Sequence, residues 1–219
     1  MKRIVSLLTV ALLSIANLSA CSEPENGMSI QEQTERRFQL NPHPKQAYRI
    51  KVKINDAPGP LKLINDMYVG YKAENCSYLI SKVAGAYAKP EKTIKTKMNQ
   101  IGQDEYETVV YFDAMQDEDY FGEGICRWKI ENFGTSFKAT GKPEETEFNV
   151  SDLMKHLIEK KTLIKYYRKG GYPYFKNDDG SIYNGKDMVS FGTASPNEYR
   201  KDLQKDLFSI MVILEGIKE

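Results

Sequence analysis

The residues best equipped for chemistry crowd into one stretch. Between positions 113 and 124 stand Asp113, Asp117, Glu118, Asp119 and Glu123, with Tyr120 and Phe121 among them and Gly122 and Gly124 at the close. Clustered carboxylates can supply the several oxygen ligands that Ca²⁺ requires, although these acid and glycine offsets do not fit an EF-hand loop. They can also act as general acid and base, a use that needs a pocket the sequence does not define. As a docking loop, the carboxylates would meet basic groups of a protein partner while Tyr120 and Phe121 served as apolar anchors. As a solvated hairpin tip, they would only confer solubility. The docking use makes Asp113, Asp117, Glu118, Asp119, Tyr120, Phe121 and Glu123 the partner-binding candidates.

Other chemistries find little footing. Asn177, Asp178, Asp179 and Gly180 have a calcium-like look, but Phe175 stands where a further acid would be needed, so the run reads as a turn. Gly170-Gly171 lacks the context of a phosphate loop, and no His-Glu-x-x-His or Gly-x-Ser-x-Gly is present. His156 falls on an expected helix between Lys155 and Leu157, and His43 lies between two prolines. No catalytic residue, no metal site and no cofactor is therefore expected, and the protein is not read as an enzyme. With 31 Lys and Arg against 30 Asp and Glu, a net charge of +1 offers no basic face for nucleic acid. Tyr166, Tyr167, Tyr172 and Tyr174 form a tyrosine-rich run that could line a binding surface.

Lys2 and Arg3 precede an apolar run over 4–16 that is too short to span a membrane, the pattern of an export signal. It ends in Leu18-Ser19-Ala20-Cys21, which resembles the lipobox of bacterial lipoproteins. That resemblance implies cleavage before Cys21, a thioether diacylglycerol and an N-acyl chain on Cys21, and a stable membrane anchor facing the periplasm. Ser22 after the cysteine, by the same resemblance, favours the inner leaflet of the outer membrane. Removal of residues 1–20 lowers the basic count from 31 to 29 against 30 acids, so no polybasic patch remains for lipid head groups.

With Cys21 assigned to lipid, Cys76 and Cys126 remain. An even count in an oxidising compartment points to a disulfide, with a reduced buried pair as the other reading. No Cys-x-x-Cys is present, which argues against a redox-active pair.

The elements that must position these residues are mostly strands. Tyr48, Ile50, Val52 and Ile54 alternate with Arg49, Lys51 and Lys53, a half-exposed strand. Further strands are expected around 67–71, 76–83, 94–98, 106–112, 125–130, 133–139, 145–150, 162–168 and 208–214. In the 125–130 strand, Cys126, Trp128 and Ile130 share a face, which would set Trp128 beside the bridge. Ser151 is expected to cap a helix over 152–159, and Ser195-Pro196 to open another carrying Tyr199, Leu203 and Leu207. The fold class is therefore mainly β, an antiparallel β-sandwich or twisted sheet with one or two short helices, and α+β is its alternative. The chain divides into a lipoprotein signal peptide (1–20), a Pro-containing polar tether (21–45) with a short helix around 30–38, and one globular β-rich domain (46–219).

The lipobox, the strand around Cys76 and Tyr78, the Tyr111-Phe112-Asp113 run and the stretch from Asp117 through Cys126 to Trp128 resemble those of type VI secretion immunity lipoproteins of the bacterial periplasm. The resemblance covers about 1–21 and 45–150 and is loose beyond. It implies a non-enzymatic protein that binds and neutralises a toxic effector delivered to the periplasm. A structural envelope lipoprotein anchoring a secretion assembly is the alternative, and a lipoprotein acting on or binding a small molecule is a third.

Overall fold

The computed structural model describes residues 29–176, 180–182 and 188–217. Its central strand, β1 (Ala47–Asn55), keeps the alternation of its sequence: Ile50, Val52 and Ile54 are buried. Its outward cations meet acids on both neighbours. β7 (Glu105–Tyr111) supplies Glu105 to Lys53 at 2.8 Å, and β12 (Leu207–Gly216) supplies Glu215 to Lys51 at 3.0 Å. Such exposed pairs add little stability, but a slip by one residue would turn every apolar side chain of β1 outward. β10 (Thr162–Arg168) and β6 (Asn99–Gly102) complete this five-stranded sheet, in the order β10–β12–β1–β7–β6.

The second sheet also has five strands. Its members are β2 (Lys62–Lys72), β5 (Glu91–Thr96), β8 (Lys129–Lys138), β9 (Glu147–Leu153) and β11 (Val189–Ser190), in the order β11–β9–β8–β2–β5. All pairs in both sheets are antiparallel except β11 with β9. Where β2 crosses β8, Gly134 leaves room for the Tyr68 ring, which occupies the place a Cβ would take. A small hairpin, β3 (Tyr78–Ser81) and β4 (Ala86–Ala88), stands apart, and the helices α1 (Ile30–Glu35) and α2 (Met154–Lys160) are short.

The sheets pack face to face through aromatic rings. Phe148 of the second sheet meets Phe208 and Tyr167 of the first at 5.0 and 5.7 Å, and Phe137 meets Tyr106 at 5.3 Å. Two buried phenols cross between the layers: Tyr71 donates to the Tyr111 carbonyl and Tyr167 to that of Asn149, each at 2.7 Å. The burial that supplies the apolar stabilisation thus also satisfies the polar ends of these rings. Tyr167 lies wholly inside, so it belongs to the core and not to a tyrosine-lined surface. The fold is a mainly antiparallel β-sandwich with few helices.

The sheet edges are partly covered. The chain runs from β5 through Lys97 and Met98 directly into β6, so one stretch serves both sheets. On the far side, Thr193 exchanges two backbone hydrogen bonds with Tyr166 of β10 at 2.8 and 3.0 Å. Pairing the exposed groups of an edge in this way removes a template for aggregation.

Four local expectations meet a different outcome. Residues 125–130 keep the alternating burial, with Cys126 and Trp128 inside, but only Cys126 forms a bridge, to Glu118, before β8 begins at Lys129. The Ser151 hydroxyl donates to Asn149 instead of capping α2, because β9 runs on to Leu153. Ser195-Pro196 opens only a three-residue 3₁₀ turn, Pro196–Glu198. Tyr199 is then extended, its hydroxyl drawn to the Tyr166 carbonyl at 2.8 Å, and no helix carries Leu203. The short helix expected around 30–38 is α1, Ile30–Glu35, but the stretch expected to be a tether enters the fold at Phe38, which is only 5% exposed. The run 177–179 within the expected turn, and Cys21 with the leader, lie outside the described residues.

Candidate functional site

The acidic stretch and the disulfide form one end of the sandwich. Cys76 and Cys126 are bonded, with Cα atoms 5.5 Å apart. Asn75 reinforces the junction by reading the backbone on both sides of Cys126. It donates to the Ile125 carbonyl at 2.8 Å and accepts from the Arg127 N–H at 2.9 Å. The loop bearing Cys76 and the loop bearing the acids are thereby held together, and the link, closing 50 positions, also restricts the unfolded chain.

Beneath them lies an aromatic cluster that sequence reasoning missed. Phe38 sits at its centre, edge-on to Trp128 at 5.1 Å, Tyr120 at 5.4 Å, Tyr78 at 6.1 Å and Phe121 at 6.4 Å. Phe121 stacks on Tyr78 at 5.6 Å. The available signal was the apolar pair Phe38 and Leu40 in an otherwise polar stretch. Leu40 bridges to Met115 in the acidic segment, and the Arg37 guanidinium donates to the Tyr120 carbonyl at 3.1 Å. Tyr120 is 6% exposed, and its hydroxyl donates to the Gln116 carbonyl and accepts from the Gln39 N–H. Burial pushes its phenol above the ordinary range. The expected surface anchors Tyr120 and Phe121 therefore face inward, the first buried and the second half-buried. The indole N–H of Trp128 is buried without a well-formed hydrogen bond, beside the Tyr120 hydroxyl.

Three of the five carboxylates hold the backbone. Asp113 accepts from the N–H groups of Lys45 and Gln46 at 2.9 and 3.0 Å, tying the lead-in of β1 to the end of β7. Asp117 accepts from Trp128 N–H at 2.9 Å, with the Arg127 guanidinium 3.8 Å away. Asp119 gathers the N–H groups of Phe121, Gly122 and Glu123 at 3.3, 2.7 and 3.1 Å, in a tip that turns through positive φ at Gly122 and Gly124. For both Asp113 and Asp119, desolvation that would raise the carboxyl is outweighed by these N–H donors, and each is held below the ordinary carboxylate range. Glu118 and Glu123 are exposed, and among the described residues their carboxylates have no ion-pair partner.

A groove of about 700 Å³ opens beside this loop. Its apolar lining comes from Phe112, Met115, Trp128 and Ile130, with Ile158 of α2 contributing a wall, and its charged lining is Asp113, Asp117 and Lys129. Four segments distant in sequence build it: the lead-in to β1, the acidic loop, the start of β8 and α2.

Asp152 takes His156 Nδ1 at 2.8 Å and Lys165 Nζ at 3.1 Å. Among the described residues, no three His, Cys, Asp or Glu side chains converge as a metal site would require, and no helix is long and apolar enough to cross a membrane. Comparison with known protein families, curated proteins and solved structures finds no match for this chain.

Proposed function

We propose that this protein is a lipid-anchored envelope protein, facing the periplasm, that binds and neutralises a toxic protein effector. The observation that carries the reading is the groove beside the acidic loop. It is a concave, mixed apolar and acidic surface on a frame stiffened by a disulfide and by three carboxylate-to-backbone clamps. A preorganised surface binds without the entropic cost of ordering loops. Glu118 and Glu123 at the exposed tip, without an ion-pair partner among the described residues, suit long-range steering of a basic partner. The lipobox-like Leu18-Ser19-Ala20-Cys21 and the resemblance to type VI immunity lipoproteins supply the compartment and the kind of partner. Neutralisation is then occlusion, with the protein covering a functional surface of the effector and transforming nothing.

The test is co-expression with toxins encoded beside this gene, directed to the periplasm. Protection of the cell by the wild-type chain is expected, together with its loss in Cys21→Ser if anchoring is needed. Equal killing with and without the protein would defeat the reading and leave envelope anchoring in its place. Intact mass of the membrane-extracted protein should reveal loss of residues 1–20 and an acyl-glyceryl adduct on Cys21.

A further inference from the structure

We infer that the groove receives a basic side chain, arginine or lysine, carried on a loop of the bound protein. The inference rests on the binding reading above and names the chemistry its partner must present.

The groove presents negative charge to an incoming cation. Asp113 and Asp117 both line the groove, and the N–H donors around Asp113 keep it ionised. Each Asp113 oxygen accepts one N–H, whereas a carboxylate can accept about four hydrogen bonds. Asp113 thus keeps capacity for a further donor. Asp117 Oδ1 holds the Trp128 N–H, while its Oδ2 has only the exposed Arg127 at 3.8 Å, a loose surface pair that a better-placed cation can replace. The stretch over 113–124 carries five acids and no base. The opposing charge in the lining is Lys129, an exposed residue at the start of β8.

Its shape and polarity also suit a basic side chain. The same groove has an apolar wall that includes Phe112, Ile130 and Ile158. Arginine and lysine pair a cationic head with an apolar stem, so the stem can lie on this wall while the head reaches the carboxylates. The Trp128 ring at the same site adds an electron-rich aromatic. A purely apolar side chain would leave two charges desolvated, and an acidic one would meet two like charges.

The test uses Trp128 as reporter, since it is the single tryptophan of the chain and lines the groove. The purified full chain in detergent is titrated with capped pentapeptides that differ only in a central Arg, Lys, Leu or Glu. The Arg and Lys peptides should perturb Trp128 emission saturably, with the Leu and Glu peptides at least about tenfold weaker. Asp117→Asn keeps the acceptor for the Trp128 N–H and should weaken the Arg peptide about fivefold. Ile158→Lys, at an exposed wall position of α2, should abolish Arg binding, and Ile158→Glu should strengthen it. Both variants should melt as the wild type does. Equal binding of the Leu or Glu peptide, no saturable Arg response at millimolar peptide, or indifference to both Ile158 variants would overturn the inference. Co-expression separates the two levels. If the wild type protects and Ile158→Lys does not, the groove is the site; if both protect, immunity stands and this inference falls. If the wild type gives no protection, the immunity reading fails, and the peptide titration alone decides the groove.

Discussion

The loop over 140–145 hangs on one carboxylate, whereas the acidic loop over 113–124 spreads the same task over three. Glu145 is 2% exposed and gathers the N–H groups of Thr140, Gly141 and Lys142 at 2.7, 2.9 and 3.2 Å, together with the Thr140 hydroxyl. Burial alone would raise its carboxyl, but these donors outweigh it and hold the group below the ordinary range. In the acidic loop, Asp113, Asp117 and Asp119 each hold a separate piece of backbone near the surface, and a disulfide and a ring cluster do what burial does for Glu145. An acid-rich sequence is therefore a poor count of the charge offered to a partner. Of the five carboxylates, three are spent partly or wholly on the loop itself, and Glu118 and Glu123 are left to solvent.

The largest effect is expected at Phe38. If the rings under the acidic loop are its foundation, Phe38→Ala should cost about 3–5 kcal/mol, as for other buried aromatics, measured by urea unfolding. A loss under 1 kcal/mol would return residues 29–45 to the role of a passive tether. Reduction or Cys126→Ser should cost about 2–5 kcal/mol and should loosen the acidic loop while sparing the loop at Glu145. Hydrogen exchange at Gly122 and Gly141 would report the two separately, and equal loosening of both would erase the contrast.

Glu145→Gln keeps the shape and removes the charge, and should cost about 1–3 kcal/mol because the buried donors lose a charged acceptor. Asp119→Asn, at an exposed tip, should have a smaller effect on stability and a visible one on local exchange. The smallest effect is a shared pH dependence. Asp113, Asp119, Glu145 and Asp152 all have folded carboxyls held below their ordinary values. Their contribution is present above the unfolded carboxylate pKa of about 4 and is lost as pH falls through the lowered folded values. Melting temperature should decline through that acid range, less steeply in Glu145→Gln. A flat acid limb would contradict the assignment of these clamps.

Much of the fold was legible in the chain because strand formation leaves a local record. The alternation at Ile50, Val52 and Ile54 survives in the structure because one face of β1 is buried and the period of a strand is two. The same logic placed the strands at 106–112, 162–168 and 208–214 close to where they lie. It failed at Tyr199 and Leu203, where helical spacing was overruled by a hydrogen bond to β10. It failed also at Ser151, where the strand had a partner to follow past the expected cap. Local spacing carries no information about such distant partners.

The same division governs the candidate site. The cysteine count, taken with a lipobox-like leader, paired Cys76 with Cys126 before any geometry, and the acidic stretch stood out by composition alone. Tertiary structure decided the rest. It placed Phe38 beneath Tyr120, turned the expected anchors inward, assigned Asp113, Asp117 and Asp119 to particular N–H groups, and opened the groove. The physical reason is distance along the chain. Period, charge and cysteine count are properties of neighbours or of the whole. A groove assembled from residues near 42, 113, 128 and 158 exists only once the sandwich has brought those segments together.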